Sequence, residues 1–145
     1  MKTLYTAVAT AHGGRDGRVR SEDGVLDLDM RMPKTLGGPG GAATNPEQLF
    51  AGGYAACFES AMRGVARQQR KPLTDASITA HVSLNTSDTG TYVLSVELHG
   101  HVDGLGVEDT RQLMEAAHRV CPYSNATRGN IEVKLIAECA EPIGD

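Results

Sequence analysis

Residues 45–70, NPEQLFAGGYAACFESAMRGVARQQR, constrain the fold more than any other stretch. They predict a helix: Asn45 suits the N-cap, Pro46 the first helical position, and Gln48 stands at capping-box spacing. Gly52 and Gly53 lie inside that helix, where each costs roughly 1 kcal/mol relative to alanine. The mostly small residues from 51 to 57 make sense where another backbone comes close, so the helix is expected to be buried, with a second copy of itself as one candidate neighbour. Cys57 shares a helical face with Phe50, Gly53, Tyr54 and Ala61.

The other elements must cover this helix. Residues 2–10 and about 16–30 read as strands separated by HGGRDG, with SEDG at 21–24 as a hairpin turn in which Asp23-Gly24 supplies left-handed residues. Leu26, Leu28 and Met30 alternate as in a half-buried strand. TLGGPGGAAT at 35–44 breaks all periodicity and lacks the Gly-Lys-Ser/Thr ending of a phosphate loop, which predicts a mobile connector. Residues 76–86 and 91–102 form a second hairpin around SDTG. A helix over about 107–121 repeats Met114, Ala117 and Cys121 inward, and Pro122 ends it. In the last strand, IEVKLIAEC, Cys139 falls on the same face as Ile131, Val133, Leu135 and Ala137, so it reads as a small core residue. Strands, helix, strands, helix, strand is an α+β order, and 145 residues suit one domain, 1–145.

Composition excludes several classes. A net charge of −4 argues against a nucleic-acid binder. No apolar run is long enough to span a membrane, and the first residues lack the apolar core of a secretory leader, so a reducing cytoplasm is the expected compartment. The glycosylation sequons at Asn85 and Asn125 then read as chance matches. The three cysteines contain no C-x-x-C, which removes the thioredoxin motif and the zinc knuckle. His99 and His101 would share one strand face, but two histidines without further ligands read as an exposed polar surface, and no metal is expected.

The remaining question concerns Cys57 and Cys121. A lone cysteine on an apolar helical face is usually packing. Cys121 differs, because it sits at a helix end before a proline and a polar stretch, where a thiol can move and be reached. Residue pattern alone leaves packing and redox chemistry both open.

GGRDGRV, MPKTLGG, NPEQLFAGGYAACF and CPYSNATRGN, in this order along residues 4–139, resemble the organic hydroperoxide resistance branch of the Ohr/OsmC family. The YTA start, the GGRDG loop and CPYSNATRGN favour that branch over the osmotically induced one. Gly52 stands where alanine is commoner in the family, with only a local packing effect expected. The resemblance implies an OsmC-like fold, with antiparallel sheets wrapped around central helices in an intertwined homodimer. It implies a thiol peroxidase acting on alkyl and fatty-acid hydroperoxides, without a bound cofactor, reduced by dihydrolipoyl groups of lipoylated proteins. Residue by residue, Cys57 matches the peroxide-attacking thiol, Cys121 the resolving thiol that would pair with it in a disulfide, and Arg15 and Glu47 the family's arginine and glutamate.

These roles are chemically coherent. Peroxide attack needs a thiolate, burial opposes one, and an arginine charge restores it. Glu47 could orient Arg15 through a bidentate contact, where otherwise Arg15 is a turn residue and Glu47 a first-turn carboxylate. Phe50 and Tyr54 are candidates for an apolar substrate pocket. The competing expectations are an OsmC-type peroxidase of broader specificity, a thiol redox sensor, and a non-catalytic lipid or ligand binder.

Overall fold

The computed structural model describes residues 1–138, so the reading of Cys139 lies outside the described residues. Two compact units are present, Met1–Leu49 and a second beginning at Phe50. The first carries strands β1 (Ala9–His12), β2 (Arg18–Ser21) and β3 (Asp27–Asp29) in one antiparallel sheet of that order. The strand expected over 2–10 is therefore much shorter. Its partner β2 ends at Ser21, and beyond the register Ala9↔Ser21 the ladder has only the Glu22 N–H bond to the Val8 carbonyl, at 2.9 Å.

The turn between β2 and β3 is where the sequence puts it, but of Asp23 and Gly24 only the glycine is left-handed (φ 75°). Asp23 instead accepts hydrogen bonds from the Val25 N–H (3.0 Å) and the Ser21 hydroxyl (2.6 Å), closing the turn through its side chain. Met30 is buried whereas Leu28 stays exposed. The glycine-rich connector is an ordered series of turns rather than an open loop. The N–H groups of Gly37, Gly38 and Gly40 bond back to the carbonyls of Lys34, Pro33 and Met32.

Helix α1 spans Pro46–Gln68. The Asn45 side chain caps it by accepting the Gln48 N–H at 2.9 Å. The capping box is incomplete, because Gln48 turns its amide oxygen to the Thr44 hydroxyl (2.9 Å). The helix stops two residues before the predicted end, where Arg70 takes a left-handed conformation (φ 60°) and the Lys71 N–H returns to the Ala66 carbonyl (2.9 Å). Its fully buried stripe is Tyr54, Phe58, Met62 and Ala66, with Cys57, Ala61 and Val65 along one edge. Cys57 thus flanks the core stripe rather than lying at its centre.

The second sheet is β4 (Ala76–Thr86), β5 (Tyr92–Val102) and β6 (Val133–Ala137). The long hairpin keeps its predicted limits almost residue for residue, from Ala76↔Val102 to Thr86↔Tyr92. The expectation of purely antiparallel sheets needs one correction: β6 runs parallel to β5. A parallel return requires a long crossover, supplied here by helices α2 (Val107–Val120) and α3 (Pro122–Thr127). Val96, Leu98 and Val102 of β5 share one core with Leu113, Met114 and Ala117 of α2 and the buried stripe of α1. Gly100 lets α2 sit close to β5, since any side chain there would overlap the Met114 thioether. Phe58 lies in this core with no exposed surface, so Phe58→Ala should destabilise the protein by about 3–5 kcal/mol. Urea unfolding of the two proteins checks the loss.

Candidate functional site

The site is built around the break between α2 and α3. Proline disfavours helical geometry in the residue before it, and Cys121 is extended (φ −68°, ψ 126°). Pro122 then starts a new helix instead of only ending the old one. The polar stretch after Cys121 is therefore α3, a short helix that its Ser and Asn obscure. Cys121 donates its N–H to Ala117 (2.8 Å) and accepts that of Asn125 (2.9 Å), so it belongs to the hydrogen-bonding of both helices.

This junction brings the two thiols together. Cys121 Sγ lies 3.6 Å from Cys57 Sγ, and both are free. The expectation that Cys121 is the reachable thiol is reversed. Cys121 has 0% exposed surface, while Cys57 is half-buried. Cys57 opens into a cleft of about 410 Å³ beside Ser60, Ala61, Gly64, Val120 and Pro122.

Burial is the main influence on the Cys57 thiol and pushes its pKa up. Cys121 acts in the same direction, and a backbone hydrogen bond from Tyr123 opposes both. Tyr123 was not singled out from sequence, since a main-chain donor leaves no mark in residue type. Its ring is placed by Gly53, where an added Cβ would stand 2.7 Å from the Tyr123 hydroxyl. The close approach expected at the glycine pair is thus made by a side chain of the same protein at Gly53, while Gly52 has nothing within 4 Å.

The apolar pocket candidates separate. Phe50 lines a cleft of about 760 Å³ together with Tyr92, Leu94, Pro122, Tyr123 and Ile131. Tyr54 does not line it. Its side chain is fully buried, with the hydroxyl 2.8 Å from Ser124 Oγ and 3.2 Å from Thr127 Oγ1.

Arg15 and Glu47 meet within the first unit. The guanidinium grips the carboxylate with both arms, at 2.8 and 2.6 Å. Gly13 (φ 78°) makes the turn before Arg15, and Gly17 closes it where any Cβ would strike the His12 carbonyl. The hydrogen bond from Arg15 holds the Glu47 carboxyl below its ordinary pKa, against the opposing effect of burial. His99 and His101 contact carboxylates, His99 bridging Glu138 (2.6 Å) and Glu97 (3.0 Å) and His101 meeting Asp103 (3.2 Å). Among the described residues no group of three or more His, Cys, Asp or Glu is placed to hold a metal.

An α+β chain with two free, adjacent thiols, one at a cleft and one sealed behind it, defines a dithiol protein. The family model described as OsmC-like protein matches residues 38–136. The organic hydroperoxide resistance protein of Xanthomonas axonopodis pv. citri is 51% identical over 135 residues, covering 92% of this chain and 94% of its own. The crystal structure of an organic hydroperoxide resistance protein from Legionella pneumophila superposes with a TM-score of 0.89 at 55% identity, over 94% of this chain and 99% of that one. A Vibrio cholerae protein solved with captopril in one of the active sites gives 0.88 at 50% identity, over 94% of each chain. The chain belongs to the OsmC-like family, in its organic hydroperoxide resistance branch.

The Arg15–Glu47 pair yields a pH prediction. A carboxyl whose folded pKa is lowered adds stability above its unfolded pKa, and that increment disappears as pH falls through the lowered value. Urea unfolding across the acid range should therefore show Arg15→Ala less stable than wild type near neutrality, with the gap closing below the ordinary carboxylate range. A gap that persists unchanged in acid would show that the pair contributes nothing through Glu47 ionisation.

Proposed function

We propose that the protein is a thiol peroxidase for organic hydroperoxides, with Cys57 as attacking thiol and Cys121 as resolving thiol. The observation that carries this reading is the 3.6 Å approach of the two sulfurs, one at a cleft and one buried. The Cys57 thiolate attacks one peroxide oxygen, the O–O bond breaks, and the other oxygen leaves as an alcohol after taking a proton. Cys57 becomes a sulfenic acid. The Cys121 sulfur then bonds to the Cys57 sulfur, and the sulfenic oxygen departs as water. Dihydrolipoyl groups of lipoylated proteins reopen the disulfide by exchange. The apolar cleft at Phe50 suits the alkyl part of the substrate, through burial of its chain. No helix of the described residues is long and apolar enough to cross a membrane.

Burial raises the Cys57 pKa, so reactivity near neutral pH needs a cation, and Arg15 oriented by Glu47 is the proposed one. Glu47 and Cys57 lie ten residues apart on α1, about 15 Å along the axis at the α-helical rise. That span favours a homodimer in which Arg15 and Glu47 of one copy serve Cys57 of the other, the whole 145-residue chain acting as one functional domain. The Vibrio relative, with more than one active site, is consistent with such an assembly.

The chemistry is tested with cumene hydroperoxide and dihydrolipoamide. Cys57→Ser should abolish peroxide reduction. Cys121→Ser should consume about one peroxide per Cys57 and then stall, with Cys57 advancing to sulfinic acid. Mass spectrometry of the oxidised wild type should find a 57–121 disulfide, and a dominant link through Cys139 would sink the assignment.

The assembly is tested by mixing subunits. A dimer of one Cys57→Ser and one Glu47→Ala chain contains one intact site if Glu47 acts across the interface, and none if it acts within its own chain. Activity well above both parents is the expected result, and a monomer in solution or no gain over the Glu47→Ala parent would refute the arrangement.

A further inference from the structure

A second link joins the same elements that carry the thiols, one helical turn away. Tyr54 precedes Cys57 by three residues on α1, and His118 and Ser124 stand three residues either side of Cys121. Ser124 Oγ is the hub, 2.8 Å from the Tyr54 hydroxyl and 2.7 Å from His118 Nδ1. Thr127 Oγ1 adds a contact to Tyr54 at 3.2 Å and to the Ser124 carbonyl at 3.2 Å. Tyr54 and Ser124 have no exposed surface, so neither can exchange its partner for water. Burial and the nearby Arg128 lower the His118 pKa, which favours the neutral imidazole. A neutral ring whose Nδ1 accepts gives one consistent chain: Tyr54 O–H donates to Ser124, and Ser124 O–H donates to His118. Arg128 also donates to the His118 carbonyl (2.5 Å), tying the end of α3 to α2.

We infer that Tyr54, Ser124 and His118 are positioning residues for the resolving step, holding the Cys121 junction against α1 so that the buried sulfur meets Cys57. None of the three lines either cleft. The chain fixes α3 to α1, and the thiols inherit their separation from it. This rests on the dithiol reading given above.

The test isolates closure from peroxide chemistry. In a Cys139→Ser background, the reduced protein is treated with an aromatic disulfide that releases coloured thionitrobenzoate. Cys57, the accessible thiol, forms a mixed disulfide and releases the first equivalent. Cys121, losing its proton, then attacks the Cys57 sulfur, forms the 57–121 bond and expels the second equivalent as thiolate. Tyr54→Phe removes only a hydroxyl, and His118→Leu removes the ring acceptor. Both should slow the second release by at least about tenfold with the first release unchanged, as expected for a misplaced nucleophile. His118→Asn, whose amide reaches the position of Nδ1, should keep closure near the wild-type rate. A second release unaffected in Tyr54→Phe and His118→Leu would overturn the inference, and so would His118→Asn as slow as His118→Leu. The two histidine variants decide the matter even where Tyr54→Phe fails to fold. Because no peroxide is used, a wild type inert to alkyl hydroperoxides would refute the proposed function and leave this result standing. Normal peroxide turnover beside unaltered closure in the variants would do the opposite.

Discussion

The peptide before Pro122 sets the geometry on which the thiol pair depends. The proline ring makes helical geometry at Cys121 unfavourable and starts a new helix in a new direction. The Cys121 sulfur, buried with Met114 and Ala117 of α2, rests against Cys57 on α1. Gly100 and Gly53 serve the same end. The first lets α2 settle onto β5, and the second lets the Tyr123 ring settle onto α1, so the junction is held from both sides.

Burial then acts in opposite senses on the two sulfurs. At Cys121 it is protective, because a thiol with no exposed surface meets no oxidant except the sulfur beside it. At Cys57 partial burial works against reactivity, since desolvation favours the neutral thiol. The Tyr123 main-chain donor recovers part of that loss, and on the proposed chemistry a positive charge recovers the rest. The two-armed grip of Glu47 holds the Arg15 guanidinium in one orientation within the first unit.

The sequence was most informative where a pattern is repeated or a residue type is irreplaceable. The β4–β5 hairpin followed from alternation over many residues, and the α1 start from Asn45 and Pro46. The Arg15–Glu47 pairing was expected from chemistry once the resemblance had singled out both residues. What escaped was short or long-range. Helix α3 has too few residues for a period and includes Ser124 and Asn125, weak helix formers. The parallel β6 pairing depends on the path of the crossover, which no local pattern records. Tyr54 was assigned to a substrate pocket because an aromatic ring beside a reactive cysteine suits one. Its hydroxyl instead meets Ser124, seventy residues away, a contact that neither residue advertises.

The exposure of the two sulfurs also orders the cycle on the proposed chemistry. Substrate reaches Cys57 first, because only that thiol opens to a cleft. The same argument applies to the return half. In thiol–disulfide exchange the incoming thiolate must approach one sulfur along the S–S axis while the other leaves. If the oxidised pair keeps the same burial, an external dithiol can attack only at Cys57, and Cys121 must be the leaving group. The mixed intermediate then joins the reductant to Cys57 and frees Cys121 inside the protein. A freed Cys121 can expel the reductant again by reclosing on Cys57. A dithiol donor escapes this reversal, because its second sulfur attacks the mixed disulfide before Cys121 returns. On the proposed chemistry, the buried position of Cys121 thus favours a dithiol over a single thiol as reductant.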